Sequence, residues 1–295
     1  MPTTLEERIA RLSTTSARRV IDPDDAVRGH IDAAEAVVAP ELLSVAGLGL
    51  ELSAEQWKTL AREEVASITE AGIRFELLLI AGFARQFAYE PDVTNPRAVY
   101  VLHELGEETR HSRLFIRLLD QLAPMAQNPF VSGPLATVDR WVTAFVLRRP
   151  LLFYVMVLAG EEVPDLFQQL ASEHAGTDPF FRSVNVYHRA EEARHLAYAR
   201  LRLPELWHGA SRLDRFLVRR LAPLALRAVF DSLVHPGVYE TVGLRGWKTW
   251  RAVRRSASRV EFRGRALHGV LAALVDAGAI NANRVPGPWR RLVGQ

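Results

Sequence analysis

The sequence contains no cysteine among its 295 residues. This absence excludes a disulfide framework, a zinc–thiolate site, an iron–sulfur cluster and a thiol nucleophile. Any metal ion bound by this chain must therefore be held by imidazole and carboxylate groups.

Long apolar runs are also absent. The longest uncharged apolar run, residues 151–160, is far shorter than the roughly 18 residues that a membrane-spanning helix needs. The first residues, MPTTLEERIARLSTTSARR, lack the apolar stretch of a secretory signal. We therefore expect a cytoplasmic protein with no membrane partner.

The chain has little net charge: its 37 basic and 34 acidic residues give +3. Hydrophobic residues make up 48% and charged residues 24% of the chain, which excludes disorder and coiled-coil rods. The charge is uneven, because residues 1–204 carry a net −7 and residues 205–295 a net +10. The basic residues of the second part are spread among apolar ones at helical spacing. This favours helix faces packed on the acidic part or on a second subunit over nucleic-acid binding.

Hydrophobic periodicity predicts an all-α chain without strands. The long helices are expected at 54–88, 96–122, 135–174 (broken or kinked at Pro150 and Pro164) and 179–203, the last ending before Pro204. Shorter helices are expected at 211–233 and 258–278, while 235–250 and the last fourteen residues are expected to be irregular. Four long helices with short proline-containing connections predict an up-down four-helix bundle. We expect one domain of residues 1–295, with a core of about 54–203 and a basic helical extension of 205–295.

Two segments, 103–111 and 188–195, share the pattern Glu-Glu-x-Arg-His, 84 residues apart. Within each copy the second glutamate and the histidine are three residues apart, so they project from nearly the same face of a helix. These pairs are Glu108 with His111 and Glu192 with His195. His188 precedes Glu192 by four residues and joins its face, and Glu104 occupies the matching place in the first copy.

A dimetal site in a bundle takes a Glu-x-x-His from each of two helices and one glutamate from each of the other two. Glu76 lies within an apolar stretch, and Glu161 and Glu162 follow another. Burying an unpaired carboxylate costs several kcal/mol, so such a group needs a partner or a metal. Glu76 precedes Glu108 by 32 residues and Glu161 precedes Glu192 by 31, which favours Glu161 and leaves Glu162 open as an alternative.

Each of these features has an ordinary explanation when taken alone. A single Glu-x-x-His is more often a polar pair on a helix surface, Glu76 could pair with Arg74 or Arg110, and His188 could be a hydrogen-bonded core histidine. All of these explanations together require several coincidences, so we expect a metal site. The groups next to it have assigned roles as well. Glu107 and Glu191 are expected to orient the histidines across the site, with Arg110 and Arg194 as their partners, and His103 and His174 are expected at the surface.

The arrangement resembles the ferritin-like diiron carboxylate proteins, and most of all the p-aminobenzoate N-oxygenase family, which oxidises arylamines toward nitro compounds. That family's pattern is Glu followed by Asp/Glu-Glu-x-x-His, repeated, with an additional histidine four residues before the second ligand glutamate. His188 meets this last requirement, and the resemblance covers roughly residues 54–203. It implies two iron ions, O2 as co-substrate, a small organic substrate, an external electron donor and a homodimer. The implied metal ligands are Glu76, Glu108, His111, Glu161, His188, Glu192 and His195.

Nitrogen and oxygen ligands without sulfur suit iron or manganese, including a mixed manganese–iron pair. Two-metal sites also catalyse hydrolysis, but the apolar surroundings favour O2 chemistry, which needs protection from water. The residues thus predict an O2-activating oxidoreductase, and the resemblance favours a monooxygenase that oxidises the nitrogen of an arylamine. The alternatives are a diiron C–H hydroxylase or desaturase and, outside catalysis, a ferritin-like iron-binding protein.

Overall fold

The computed structural model describes residues 4–295, with the side chains of all of them except residues 133–135. Within this range the chain is mostly helical and forms no strand, which confirms the all-α prediction. The helices are α1 (Leu5–Arg18), α2 (Pro23–Ala26), α3 (Ala54–Ala88), α4 (Pro96–Leu122), α5 (Gly133–Leu147), α6 (Pro150–Glu173), α7 (Pro179–Gly209), α8 (Arg212–Phe216), α9 (Ala222–Ser232), α10 (Pro236–Glu240), α11 (Gly246–Val253), α12 (Ala257–Ala266), α13 (His268–Asp276) and α14 (Gly287–Leu292).

The four long helices α3, α4, α6 and α7 form the bundle. Helix α3 packs along α4 and α6 along α7, α1 lies against α4 and α7, and α9, α12 and α13 pack on α6. The helix starts follow from the sequence. Ser53 and Gln56 form a reciprocal capping box at α3, and Asn95 and Asp178 cap α4 and α7, so first-turn N–H groups are satisfied. The predicted helices 54–88 and 96–122 are confirmed.

Proline residues divide the second half of the bundle less than predicted. The expected break occurs at Pro150, where α5 and α6 meet at 115°, whereas Pro164 stays inside α6. The prediction that the fourth helix ends before Pro204 is wrong, because α7 continues to Gly209. Leu203 and Trp207 are both buried on this helix. Burying them gains about 2–3 kcal/mol each, which offsets the cost of about 3 kcal/mol for a proline inside a helix.

The C-terminal extension is more ordered than its sequence pattern suggests. The predicted helix 211–233 is present as α8, a π-helical turn (Leu217–Leu221) and α9, and the predicted 258–278 as α12 and α13. The expectation of irregular structure is wrong at α10, α11 and α14. These helices are too short to show a period, and short helices depend on tertiary packing. Trp289 of α14, for example, is fully buried and donates its indole N–H to the carbonyl of Val218 at 3.0 Å.

Helices α5 and α6, which meet at the bend, are both rich in apolar residues. In residues 4–295 no single helix has both the length and the apolar character required to cross a membrane. Ala136–Leu147 and Pro150–Glu173 meet that requirement only when taken together, and they are bent by 115° relative to each other. In α6 most of the apolar side chains are buried inside the protein.

Candidate metal centre

The bundle brings together buried glutamate and histidine side chains from all four of its long helices. They form two overlapping groups, in each of which one ligand atom per residue lies within 4.8 Å of the others. The groups are Glu76, His111, His188 and Glu192, and Glu108, Glu161, Glu192 and His195. Together they contain the seven residues expected from the sequence, and Glu192 belongs to both groups.

Two of the histidines point the same ring nitrogen toward the centre. Nδ1 of His111 is 3.0 Å from a Glu192 oxygen and 3.5 Å from a Glu108 oxygen. Nδ1 of His195 is 3.0 Å from Glu192 and 3.2 Å from Glu108. Each Nδ1 therefore faces the space between the carboxylates, where its lone pair would bind a metal ion in place of a proton.

The outward nitrogens of these histidines contact glutamates of the opposite helix. Nε2 of His111 lies 3.0 Å from Glu191, and Nε2 of His195 lies 2.8 Å from Glu107. A carboxylate at Nε2 fixes the tautomer with the proton on that nitrogen, which leaves Nδ1 free for a metal ion. The structure thus brings Glu107 and Glu191 to the positions expected from the sequence.

Two arginines complete these pairs. Arg110 contacts Glu191 at 3.1 Å and Arg194 contacts Glu107 at 2.9 Å. Burial raises the pKa of Glu107 and of Glu191, but hydrogen bonds from the histidines and the charges of the two arginines outweigh this effect. The pKa of both carboxyl groups is therefore lowered. Both remain ionised and accept hydrogen bonds from the histidine N–H groups.

His188 is oriented the other way round. Its Nε2 faces the centre, 3.2 Å from Glu76 and 3.3 Å from Glu192, while Nδ1 lies 3.0 Å from the side-chain oxygen of Gln168. Gln168 therefore fixes the tautomer of His188 as Glu191 fixes that of His111. We did not identify Gln168 from the sequence, although it follows Glu161 by seven residues and so shares its helix face.

The carboxyl groups of the centre differ strongly in acidity when no cation is present. Burial, together with the nearby charge of Glu108, raises the pKa of Glu76, and burial with the charge of Glu192 raises that of Glu161. Burial also acts to raise the pKa of Glu108, but the positive charge of His195 and hydrogen bonds outweigh it and lower the pKa to about 2. Four carboxyl groups thus share a volume that cannot hold four unbalanced negative charges.

Several atoms of the centre have no hydrogen-bond partner within residues 4–295. They are Oε2 of Glu76, both carboxylate oxygens of Glu108, Nδ1 of His111, Oε1 of Glu161 and Oε1 of Glu192. Buried polar atoms are normally satisfied, and leaving them unpaired is costly. Cations between them would remove this cost. A set of carboxylate and imidazole groups without sulfur fits iron or manganese.

The competing explanations find no support in the contacts. Glu162, the alternative to Glu161, pairs with Arg200 instead of facing the centre. Arg74 pairs with Glu70 on its own helix, so it does not neutralise Glu76. His103 and His174, which were expected at the surface, are both half-buried and belong to neither group, and His174 pairs with Glu41 at 3.0 Å.

A mostly apolar cavity of about 740 Å³ adjoins the centre and is lined in part by Glu76, Glu161 and His188. Its walls come from α3, α5, α6 and α7 and from α9 and α12 of the basic extension. No sequence pattern indicates that the extension lines this cavity, because such contacts join segments far apart along the chain. Asn185 lies on the wall with its side-chain nitrogen unpaired among the described residues.

Arg259 of the extension also lines the cavity. Its guanidinium carbon lies 4.2 Å from the ring centre of Phe230 and 5.7 Å from that of Phe262. Within residues 4–295 it forms no salt bridge with an acidic side chain, unlike Arg254, which pairs with Asp231 at 2.6 Å. The cavity thus has carboxylates and a histidine at the centre and a positive charge elsewhere on its wall.

Comparison with known proteins agrees with this geometry. The family model for p-aminobenzoate N-oxygenase AurF matches residues 2–278. The uncharacterized proteins Mb0909 of Mycobacterium bovis and Rv0885 of Mycobacterium tuberculosis are each 32% identical to the chain over 176 residues, which is 58% of this chain and 50% of theirs. The chain spans about half the length of the curated relatives it matches. The match over nearly the whole chain, together with the helical bundle and its buried glutamates and histidines, shows that the chain belongs to the p-aminobenzoate N-oxygenase family of diiron oxygenases in the ferritin-like superfamily.

Proposed function

We propose that this protein is a non-haem diiron oxygenase that uses O2 to oxidise the nitrogen of an arylamine or a related amine. The observation that carries the proposal is the set of seven buried glutamate and histidine side chains, in two groups that could each hold a metal ion, beside a mostly apolar cavity of about 740 Å³. Cavities of this size accept small organic molecules. The match to the p-aminobenzoate N-oxygenase family supports an arylamine as the substrate.

Glu76, His111 and His188 would hold one ion, Glu108, Glu161 and His195 the second, and Glu192 would be shared by both, as in the two groups of the structure. Two iron ions bound there would supply the redox chemistry that activates O2. Manganese, alone or paired with iron, suits the same ligands, so the metal content of the purified protein decides between them.

Other residues around the site orient the imidazole groups and exclude water. Glu107, Glu191 and Gln168 hold the three imidazoles in one tautomer and orientation. The apolar walls exclude water, which protects a reactive oxidant from side reactions. The unpaired side-chain nitrogen of Asn185 can donate a hydrogen bond to a substrate in the cavity.

Arg259 indicates which arylamines the cavity would bind best. Its charge lies on the cavity wall over the ring of Phe230 and, within the described residues, has no acidic side chain at salt-bridge distance; the buried carboxyl group of Glu64, on the same wall, acts on it from farther away. A substrate carboxylate can accept two parallel hydrogen bonds from a guanidinium group. We therefore expect an arylamine with an acidic group to bind better than a neutral one.

The test begins with the metal content of the purified protein, expected at about two iron or manganese atoms per chain. His195→Ala should lose metal and His174→Ala should not, because His195 faces the centre whereas His174 pairs with Glu41. The reduced, metal-loaded protein is then mixed with O2 and a panel of arylamines, and the products are identified. Hydroxylamine, nitroso or nitro products support the proposal. Hydroxylated or desaturated products indicate the C–H oxidation alternative, and iron oxidation without an organic product indicates an iron-binding protein.

We further propose an external electron donor, a homodimer and a cytoplasmic location. The first follows from the family chemistry, since repeated O2 activation at iron consumes electrons that must in the end come from outside the protein. Omitting the reductant should limit the reaction to a single turnover. Sedimentation of the metal-loaded protein measures the oligomeric state directly.

A further inference from the structure

A layer of four aromatic side chains, one from each long helix, lies next to the metal centre. The ring centres of Tyr100 and Tyr198 are 4.3 Å apart, those of Tyr154 and Tyr198 are 6.0 Å apart, and those of Phe83 and Tyr154 are 6.2 Å apart. All four residues are at most 1% exposed. Three oxidisable phenols are thus in continuous contact inside the protein.

Each ring shares a helix face with a residue of the metal centre. Phe83 follows Glu76 by seven residues, Tyr100 precedes Glu108 by eight, Tyr154 precedes Glu161 by seven, and Tyr198 follows His195 by three. Side chains that are three, seven or eight residues apart lie on the same broad face of a helix. At 1.5 Å per residue, the layer is displaced from the ligands by about 5–12 Å along the helices.

The tyrosine layer lies on the side of the metal centre away from the cavity. Helix α7 lines the cavity with residues between Phe181 and His188, continues through His195 and only then reaches Tyr198. None of the four aromatic residues lines the cavity. A substrate in the cavity therefore meets the metal centre from one side and the tyrosines meet it from the other.

Polar groups in and beside this layer are left without partners. The hydroxyl groups of Tyr100 and Tyr154 and both oxygens of Glu104 are buried and have no hydrogen bond within residues 4–295. Buried tyrosine hydroxyls usually find a partner. Glu104 lies one turn from Tyr100 and one turn from Glu108 on α4, so it stands between the tyrosines and the metal centre. Burial raises the pKa of Glu104, and the carboxyl group holds its proton.

The layer reaches solvent at its other end. The guanidinium carbon of Arg202 lies 5.9 Å from the ring centre of Tyr154. Arg202 pairs with Glu205, whose side chain is 45% exposed and also pairs with Arg97 at 2.9 Å. A chain of contacts thus leads from Tyr100, which lies two turns from Glu108 on α4, through Tyr198 and Tyr154 to the surface.

We propose that Tyr100, Tyr198 and Tyr154 form a redox relay that carries single electrons from the surface to the metal centre when no organic substrate fills the cavity, and that Glu104 carries the accompanying proton. The relay rests on the proposed function, because O2 is the oxidant. Its role is to reduce an oxidised metal centre when no substrate is present to be oxidised.

Each step of the relay is balanced. Tyr100 gives one electron to the centre that O2 has oxidised, Glu104 gives the centre a proton, and the phenolic proton of Tyr100 restores Glu104. Tyr100 is left as a neutral radical. Hydrogen-atom exchange with Tyr198 and then Tyr154 moves the radical outward, and a one-electron reductant in solution, such as a thiol with its proton, restores the last tyrosine.

The experiment uses the full-length iron-loaded protein, reduced and mixed with O2 without organic substrate, then frozen at set times for electron paramagnetic resonance. We expect the signal of a neutral tyrosyl radical, narrowed when ring-deuterated tyrosine is incorporated. The variant with Tyr100→Phe, Tyr154→Phe and Tyr198→Phe should lose the signal. It should fold, because the hydroxyls of Tyr100 and Tyr154 form no hydrogen bond that the change would remove. Tyr239→Phe is the matched control, since Tyr239 is also fully buried but bonds to Ser44.

Glu104→Gln tests the proton path. It should slow radical formation by about a hundredfold, the lower end of what a positioned acid–base group contributes. Iron content and O2 consumption are measured on every variant. Bound iron and consumed O2 without a tyrosyl radical, or with a radical that survives the triple change, would refute the relay and leave the proposed function intact. A protein that binds no iron would refute both.

Discussion

Replacing Glu191 by glutamine tests whether the centre depends on the groups around its ligands. One oxygen of Glu191 lies 3.0 Å from Nε2 of His111 and the other 3.1 Å from Arg110. A glutamine has one acceptor oxygen and one donor NH2 group. It can therefore accept a hydrogen bond from His111 or from Arg110, but it must turn its NH2 group, a donor, toward the other of the two.

The magnitude follows from this mismatch and from the lost charge. Glu191 is 4% exposed, so water does not replace the missing acceptor. Partners of this kind change metal affinity by about 10–100-fold, which corresponds to about 1.4–2.8 kcal/mol. We expect Glu191→Gln to weaken iron binding by that factor, and Glu107→Gln to do the same through His195, because the two halves repeat the same contacts.

The assay is competition for iron(II) with a coloured chelator, measured on wild type and variants at the same pH. Glu162→Gln is the control, because Glu162 is a partly buried carboxylate paired with Arg200 and does not face the centre. Equal affinities for wild type and Glu191→Gln would show that His111 does not need its outer partner, and the proposed tautomer would be wrong.

Three further predictions concern packing, substrate choice and pH. A Cβ on Gly160 would lie 1.6 Å from the Phe75 ring, whereas one on Gly209 would meet nothing within 4 Å. Gly160→Ala should therefore lower the free energy of unfolding, measured in urea, by about 1–3 kcal/mol, and Gly209→Ala should leave it unchanged. Equal effects of the two changes would contradict the packing described. Arg259→Met should raise KM for an acidic arylamine and leave KM for a neutral one unchanged, and a parallel rise for both would argue against the role of its charge. Burial lowers the pKa of His235 from 6.5 to about 4, so the unfolded chain binds the extra proton between these values and stability falls as pH drops from 6.5 toward 4. His235→Gln should make urea unfolding less sensitive to pH in this window, and an unchanged pH profile would mean that His235 does not titrate in this way.

The candidate metal centre was accessible from the sequence because helix geometry and the cost of buried charge constrain it strongly. The repeated Glu-Glu-x-Arg-His fixes which side chains share a face, and an apolar stretch around Glu76 leaves a carboxylate that needs a cation. The same logic located Glu107 and Glu191, whose helix neighbours are the ligands themselves. The proposed ligand roles await metal binding, but the structure places all seven side chains together.

Features that depend on contacts between distant segments could not be read in this way. The cavity wall combines α3 and α6 with Arg259 and Phe262 of the extension, and no periodicity links these parts. Local rules also failed where distant packing opposed them. Pro204 favours a helix end, yet burial of Trp207 keeps α7 helical beyond it.

The two copies of the Glu-Glu-x-Arg-His segment differ in the residue that lies four positions before the second glutamate, and this difference gives the centre two different sides. Helix α7 has His188 one turn before its ligand glutamate, and α4 has Glu104 at the matching place. His188 lines the cavity and is held by Gln168. Glu104 does not line the cavity and lies between the centre and the tyrosine layer. A symmetric site would offer the same environment to both ions. In this protein the imidazole of His188 faces the cavity and Glu104 lies on the side of the tyrosines. Under the proposed function, substrate would be oxidised on one side of the centre, and the proposed relay would deliver electrons and protons from the other.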